Sequence, residues 1–199
     1  QMCIRDSSIG SAYCYRIRPL RAVRTRYAGG RVENRTLATN TCTEATTFAA
    51  EHAMPQTIDF LLLPGFSAMG FISAIEPLRV ANRFRGPLYR WRVLSLDGGA
   101  VQASNGMSVN ADGALGEGEH GRLLLLVAGF EPLACYGLKL QHMLRRLDHE
   151  GVVLGGIDTG AMVLAEAGLL DGHRATLHWE ALEAFKERYP VSYTHLTLP

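Results

Sequence analysis

The residues whose types and spacing are suited to chemistry lie in Gly156-Ile157-Asp158-Thr159-Gly160. A residue flanked as G-x-Nuc-x-G sits on a sharp strand-to-helix turn, because glycines let the backbone crowd closely and leave the central side chain exposed. The central residue here is an aspartate. A carboxylate is a nucleophile in phosphoryl and glycosyl chemistry, but it attacks acyl carbon far less readily than a serine or a cysteine thiolate. The spacing is that of a catalytic elbow, and the side chain is not that of an acyl-transfer enzyme.

Two more loops, Pro64-Gly65-Phe66 and Ala128-Gly129-Phe130, each follow an apolar run. In an open α/β sheet they fall with the elbow beyond the carboxyl ends of the strands, where such sheets bind ligands. Backbone N–H groups at Gly129, Thr159 and Gly160 would form an anion cradle, reinforced by the positive end of the elbow helix. Asp158 adds the opposite sign, so the site would complement a zwitterion, an amino acid or a small betaine. Asp158 has a second reading, as a residue that tolerates the left-handed backbone and caps the next helix. His178 is of the type that serves as general base, yet a lone histidine without a thiol or hydroxyl partner is more often structural. Trp179 reads equally as core or pocket wall. Ser67 does not fit G-x-S-x-G and reads as a helix cap. No Walker loop, dinucleotide glycine motif or paired metal-ligand spacing occurs, so neither cofactor nor metal is expected. Cys3, Cys14, Cys42 and Cys135 show no C-x-x-C spacing, and Cys135 reads as a small buried hydrophobe.

The elements that would position these residues follow from the hydrophobic pattern. The chain of 199 residues carries a net charge of +1, which predicts no bulk attraction to nucleic acid. Its longest aliphatic run, Leu123 to Ala128, is too short for the roughly 20 residues of a membrane helix and suits a buried strand. No signal-peptide pattern opens the chain, so a cytoplasmic setting is expected. Residues 1–54 scatter arginines without a period of 2 or 3.6 and are expected to be disordered or a non-native extension, like the tail 191–199. A basic arm for nucleic acid is the weaker reading, because no aromatics interleave.

From Thr57 the pattern changes. Ile58 to Leu63 is apolar on both faces, as a covered strand must be. Ser67 to Phe84 predicts a helix with Met69, Ile72, Ile75 and Leu78 inward and a kink or restart at Pro77. Tyr89 to Leu96 alternates as a strand, and Val101 to Val109, with Asn105-Gly106 inside it, reads as a hairpin. Pro132 to Glu150 predicts a helix with Leu133, Leu138, Leu140, Met143, Leu144 and Leu147 buried. Val152 to Leu154 is the elbow strand, Gly160 to Leu169 its helix, and Trp179 to Arg188 a last helix with Leu182 and Phe185 inward. Alternating strands and helices specify an α/β fold: an open, mostly parallel sheet with helices on both faces.

Phe60 to Ser67, Ala74 to Asn82, Tyr89-Arg90-Trp91-Arg92, Leu96 to Gly99, Ser104-Asn105-Gly106, Gly155 to Ala161 and Ala167 to Glu180 together carry a resemblance. They are similar to the N-terminal domain of GlxA-type AraC-family transcriptional regulators, of the ThiJ/PfpI, class I glutamine amidotransferase-like superfamily. The nearest branch is that of the arginine, glycine betaine and carnitine regulators. The resemblance spans about residues 57–190 and implies a flavodoxin-like sensor domain that binds a small-molecule effector and dimerises. It also implies a C-terminal pair of helix-turn-helix motifs that this chain ends before, so DNA would be read only through a segment missing here. The last strand and helix of the sensor domain are likewise expected to be missing. In the superfamily's enzymes the elbow residue is a cysteine, which corresponds to Asp158. Its supporting acid falls at Gly70, and His178 matches the histidine near the cysteine. The resemblance therefore implies a non-catalytic pocket formed by Gly65, Phe66, Gly129, Phe130, Asp158, Thr159, Gly160, His178 and Trp179. The rival reading is an active ThiJ/PfpI-type amidase, hydrolase or glyoxalase-like enzyme, and a third is a pseudoenzyme without a ligand.

Overall fold

Aliphatic runs with no polar face form strands only where both faces of the sheet are covered, and the computed structural model places them there. It describes residues 55–190 and the backbone of 13–15 and 193–194. In chain order the elements are β1 (Tyr13–Tyr15), β2 (Gln56–Leu62), α1 (Ala68–Arg85), β3 (Tyr89–Ser95), β4 (Val101–Gln102) and β5 (Ser108–Val109). There follow β6 (Gly113–Ala114), β7 (Leu123–Val127), α2 (Leu138–His149), β8 (Val153–Ile157), α3 (Gly160–Glu166) and β9 (Arg174–Ala175). A 3₁₀ turn (Trp179–Ala181), α4 (Leu182–Arg188) and β10 (Tyr193–Thr194) complete the described chain.

The main sheet has the order β1-β8-β7-β2-β3-β6. Its neighbours from β8 to β6 are parallel, in a register that sets Phe60 beside Val93 and Leu125, and Leu126 beside Gly156. Side chains alternate across each strand. Phe60, Leu62, Leu125, Val127 and Ile157 pack with Phe71 of α1 on one face. Leu61, Leu124, Leu126 and Leu154 pack with α2, α3 and α4 on the other, through Leu144, Leu147, Val163 and Phe185. An open, mostly parallel sheet covered on both faces is therefore the observed fold.

Local chemistry explains most element boundaries. The Ser67 hydroxyl accepts from Gly70 N at 3.2 Å and caps α1. The hairpin turns at Asn105-Gly106, where the Asn105 side chain accepts from Met107 N at 3.0 Å and Val101 pairs with Val109.

Other boundaries differ from expectation. Within α1, Met69 and Ile72 are exposed, and Phe71, Ala74, Ile75 and Leu78 face the sheet. The first turns are apolar nearly all round, so their pattern does not select a face. Pro77 lies inside a single assigned helix. Helix α2 starts at Leu138 after an extended Gly137, which leaves Leu133 outside the helix and Leu138 exposed. Helix α3 ends at Glu166, before Gly168 turns the chain and donates to Ala165 O at 2.8 Å.

The segment 1–54, expected to lack structure, supplies β1. It pairs antiparallel with the outer edge of β8, Tyr13 opposite Ile157 and Tyr15 opposite Gly155. In the expected non-native tail, β10 pairs in parallel with β9. The remainder of both segments lies outside the described residues.

Candidate functional site

The elbow is built from backbone crowding. A Cβ on Gly156 would lie 2.3 Å from Ala161 N, and one on Gly160 would lie 2.2 Å from Leu126 O. Only glycine fits at either position. Between them Asp158 takes φ 60°, the one non-glycine residue with positive φ among the described residues. That conformation lifts its side chain off the strand end and puts it near Ser67 and His178.

The expected loops do converge. Ser67 N donates to Ala128 O at 3.1 Å, and Leu63 N to Val127 O at 3.0 Å. The Gly65 carbonyl lies 2.1 Å from where a Cβ on Gly129 would be, so these loops touch backbone to backbone. The Thr159 hydroxyl donates to Gly129 O, which ties the elbow to the loop after β7.

Burial pushes the Asp158 carboxyl above the ordinary aspartate range; the charge of His178, the Ser67 hydroxyl and the Thr159 N–H pull it back. The Ser67 hydroxyl thus serves both Asp158 and the helix cap, a second role with no local sequence signal. His178 is itself backed by Glu180, its Nδ1 3.7 Å from Glu180 Oε2. Its ring lies 5.8 Å from that of Trp179. Glu180 was not foreseen, since an acid two residues after a histidine is ordinary surface composition.

Several predicted contacts need correction. The Phe66 side chain is 0% exposed and stacks edge-on against Phe71 at 6.0 Å, so it is core and offers the site only its backbone. Phe130 and Trp179 are 82% and 64% exposed, so neither belongs to the core. The Thr159 N–H lies close enough to the Asp158 carboxyl to favour its charged form. A Cβ at Gly70 would sit 3.1 Å from Ile157 Cγ2 and 3.3 Å from the Ser67 hydroxyl. Position 70 therefore faces the elbow, as the resemblance requires of its supporting acid, and glycine leaves it empty of charge.

Cys135, the free cysteine of the described residues, lies in the loop before α2, and burial pushes its thiol up. Such a thiol is a poor nucleophile. Among the described residues no group of three or more His, Cys, Asp or Glu is arranged to hold a metal ion, and no helix is long and apolar enough to cross a membrane. Clefts of about 610 Å³ and 650 Å³ lie elsewhere, one beside Trp91 and His120 and the other beside Leu96 and Arg146.

Comparison with known proteins places this geometry. Residues 56–192 match the DJ-1/PfpI family model. The chain belongs to the DJ-1/PfpI family. Within it, 137 residues are 69% identical to the HTH-type transcriptional regulator CdhR of Pseudomonas aeruginosa, covering 69% of this chain and 41% of that protein. The HTH-type transcriptional regulator GlxA of Rhizobium meliloti is 44% identical over 137 residues, 68% of this chain and 42% of that protein. A solved AraC family transcriptional regulator from Pseudomonas putida superposes with a TM-score of 0.61 at 29% identity, covering 71% of this chain and 76% of that one. The chain thus spans about two-fifths of the curated relatives it matches, at 41% and 42% of their lengths. These DJ-1/PfpI relatives are transcriptional regulators by name.

Proposed function

We propose that residues 55–190 form the effector-sensing domain of a cytoplasmic AraC-type transcriptional regulator, one that keeps the enzyme elbow as the floor of a binding site and carries out no reaction. Asp158 at the elbow apex carries this reading. A carboxyl that burial pushes up, with His178 and the Ser67 hydroxyl beside it, is poorly suited to attack a carbonyl carbon and well suited to pair with an ammonium group. The His178–Glu180 pair retains the form of a base and its orienting acid, with no thiol in the apex position to activate. The names and high identity of the CdhR and GlxA relatives support the regulatory role.

The effector would be a small amino acid or quaternary amine. Its cationic group would face Asp158, and its carboxylate would face the Gly129 and Gly160 backbone. The intact regulator would act as a homodimer and read DNA through a helix-turn-helix segment.

Calorimetric titration with a panel of amino acids and quaternary amines tests the reading. Saturable binding that weakens at least about tenfold, or about 1.4 kcal/mol, in Asp158→Asn supports it. Amidase or glyoxalase turnover that disappears in Asp158→Asn would overturn it in favour of an enzyme.

A further inference from the structure

The amino ends of the strands, opposite the elbow, hold a second concentration of polar groups. Asp59 is fully buried in β2. Its Oδ1 accepts from Arg92 Nε at 2.9 Å, and its Oδ2 from Arg92 Nη2 and from Gly121 N, each at 2.8 Å. This bidentate pair fixes the guanidinium and the loop before β7. Against it lies His120, whose side chain is only 9% exposed. Its Nδ1 is 3.7 Å from Asp59 Oδ2, and neither ring nitrogen has a hydrogen-bond partner. An imidazole always carries at least one N–H, and leaving such a donor buried and unmet costs about 1–3 kcal/mol. An orphan of this kind calls for a partner.

The neighbouring edge of β3 is incomplete at one residue. The Leu88 carbonyl accepts from Gln56 N, so even-numbered residues bond to β2 and odd-numbered ones turn outward. The Asn82 side chain takes both backbone groups of Tyr89, at 2.8 and 2.9 Å. Asp112 takes both of Val93, each at 2.7 Å. Leu115 N takes the Ser95 carbonyl at 2.7 Å. Between these plugs the outward N–H and C=O of Trp91 have no hydrogen-bond partner among the described residues.

Both features border the cleft of about 610 Å³, which Arg90, Arg92 and Glu119 also line. Arg90 is exposed and forms no ion pair among the described residues. Unmatched donors on this wall are the Arg90 guanidinium, the Arg92 Nη1 that Asp59 leaves unused and the Trp91 N–H, with the buried imidazole of His120 behind them. Against them stand the Trp91 carbonyl and the Glu119 carboxylate.

We propose that this cleft binds a small carboxylate that also bears an amide, such as an N-acylated amino acid, at a site separate from the elbow. The amide pairs with the Trp91 backbone as a one-residue strand would, and the carboxylate meets Arg90 and the free end of Arg92.

The test titrates the full chain with N-acetylglycine, N-acetylglycinamide and acetate, following tryptophan fluorescence and calorimetric heat. Expected are saturable binding of N-acetylglycine, binding at least about tenfold weaker for the uncharged amide and for acetate, and a similar loss in Arg90→Gln. Asp158→Asn is expected to leave N-acetylglycine affinity unaltered. No saturable binding at millimolar concentration overturns the proposal, as does affinity that survives Arg90→Gln or falls with Asp158→Asn. Because Arg90 is exposed and Arg90→Gln leaves the Asp59–Arg92 pair intact, unfolding does not confound the comparison.

Discussion

At the scale of single residues, Asp158 combines a backbone conformation that most side chains avoid with a carboxyl that its surroundings disfavour in charged form. Its folded pKa lies above the reference value of 3.8, so folding favours the protonated form. The resulting contribution to stability is present below that reference value and lost as pH rises through the folded pKa. Asp158→Asn removes the charge and keeps a side chain that tolerates positive φ. The variant is expected to be more stable than the parent near neutral pH, by about 1 kcal/mol or less, which is roughly 2–4 °C at most in Tm. The gap should close below about pH 4. Thermal melts at the two pH values decide it, and a variant less stable than the parent at neutral pH contradicts the assignment. The same raised pKa bears on cation binding, because the ligand favours the ionised carboxyl. The affinity of a quaternary amine should therefore fall as pH drops through the pKa of Asp158.

Among elements, the strand-to-helix turn from β8 to α3 tolerates no added atom at its glycines. Gly156→Ala would drive a Cβ to 2.3 Å from Ala161 N, and Gly160→Ala to 2.2 Å from Leu126 O. Both contacts are with backbone, which cannot rotate away, so each change is expected to destabilise by roughly 3 kcal/mol or more. Gly137 is the contrasting case: it precedes α2 in extended backbone, has open space around it and makes no side-chain cap. Gly137→Ser adds the missing cap and should stabilise by a few tenths of a kcal/mol. Urea unfolding of the three variants gives the order, and equal effects would show the turn is less crowded than its geometry. These elements were legible to different degrees for physical reasons. The β2, β7 and β8 runs announced themselves because a strand covered on both faces has no polar positions. The face of α1 was misread because apolar residues surround its first turns, and only the sheet it meets selects Phe71 over Met69. The pairing of β1 with β8 is an edge contact between distant segments, invisible to any local period.

Across the whole molecule, the site was legible only in outline. Loop convergence follows from parallel topology, and so Gly65, Gly129 and the elbow could be grouped from sequence. The Ser67–Asp158 contact, the burial of Phe66 and the exposure of Phe130 and Trp179 are set by tertiary packing that no spacing encodes. The same packing makes a prediction about the assembled regulator. At 69% identity over 137 residues, this domain and that of CdhR are expected to share one core and one elbow. Replacing the matched segment of CdhR with residues 56–192 should therefore preserve folding and leave the rest of that regulator free to bind its promoter. Reporter activation by the chimera should respond to an amino acid or quaternary amine. Asp158→Asn in the chimera should raise the effector concentration required by about tenfold or more, the loss expected of one charged contact. DNA affinity measured without effector should be unchanged. Activation that ignores residue 158 while still responding to the ligand would move the effector away from the elbow.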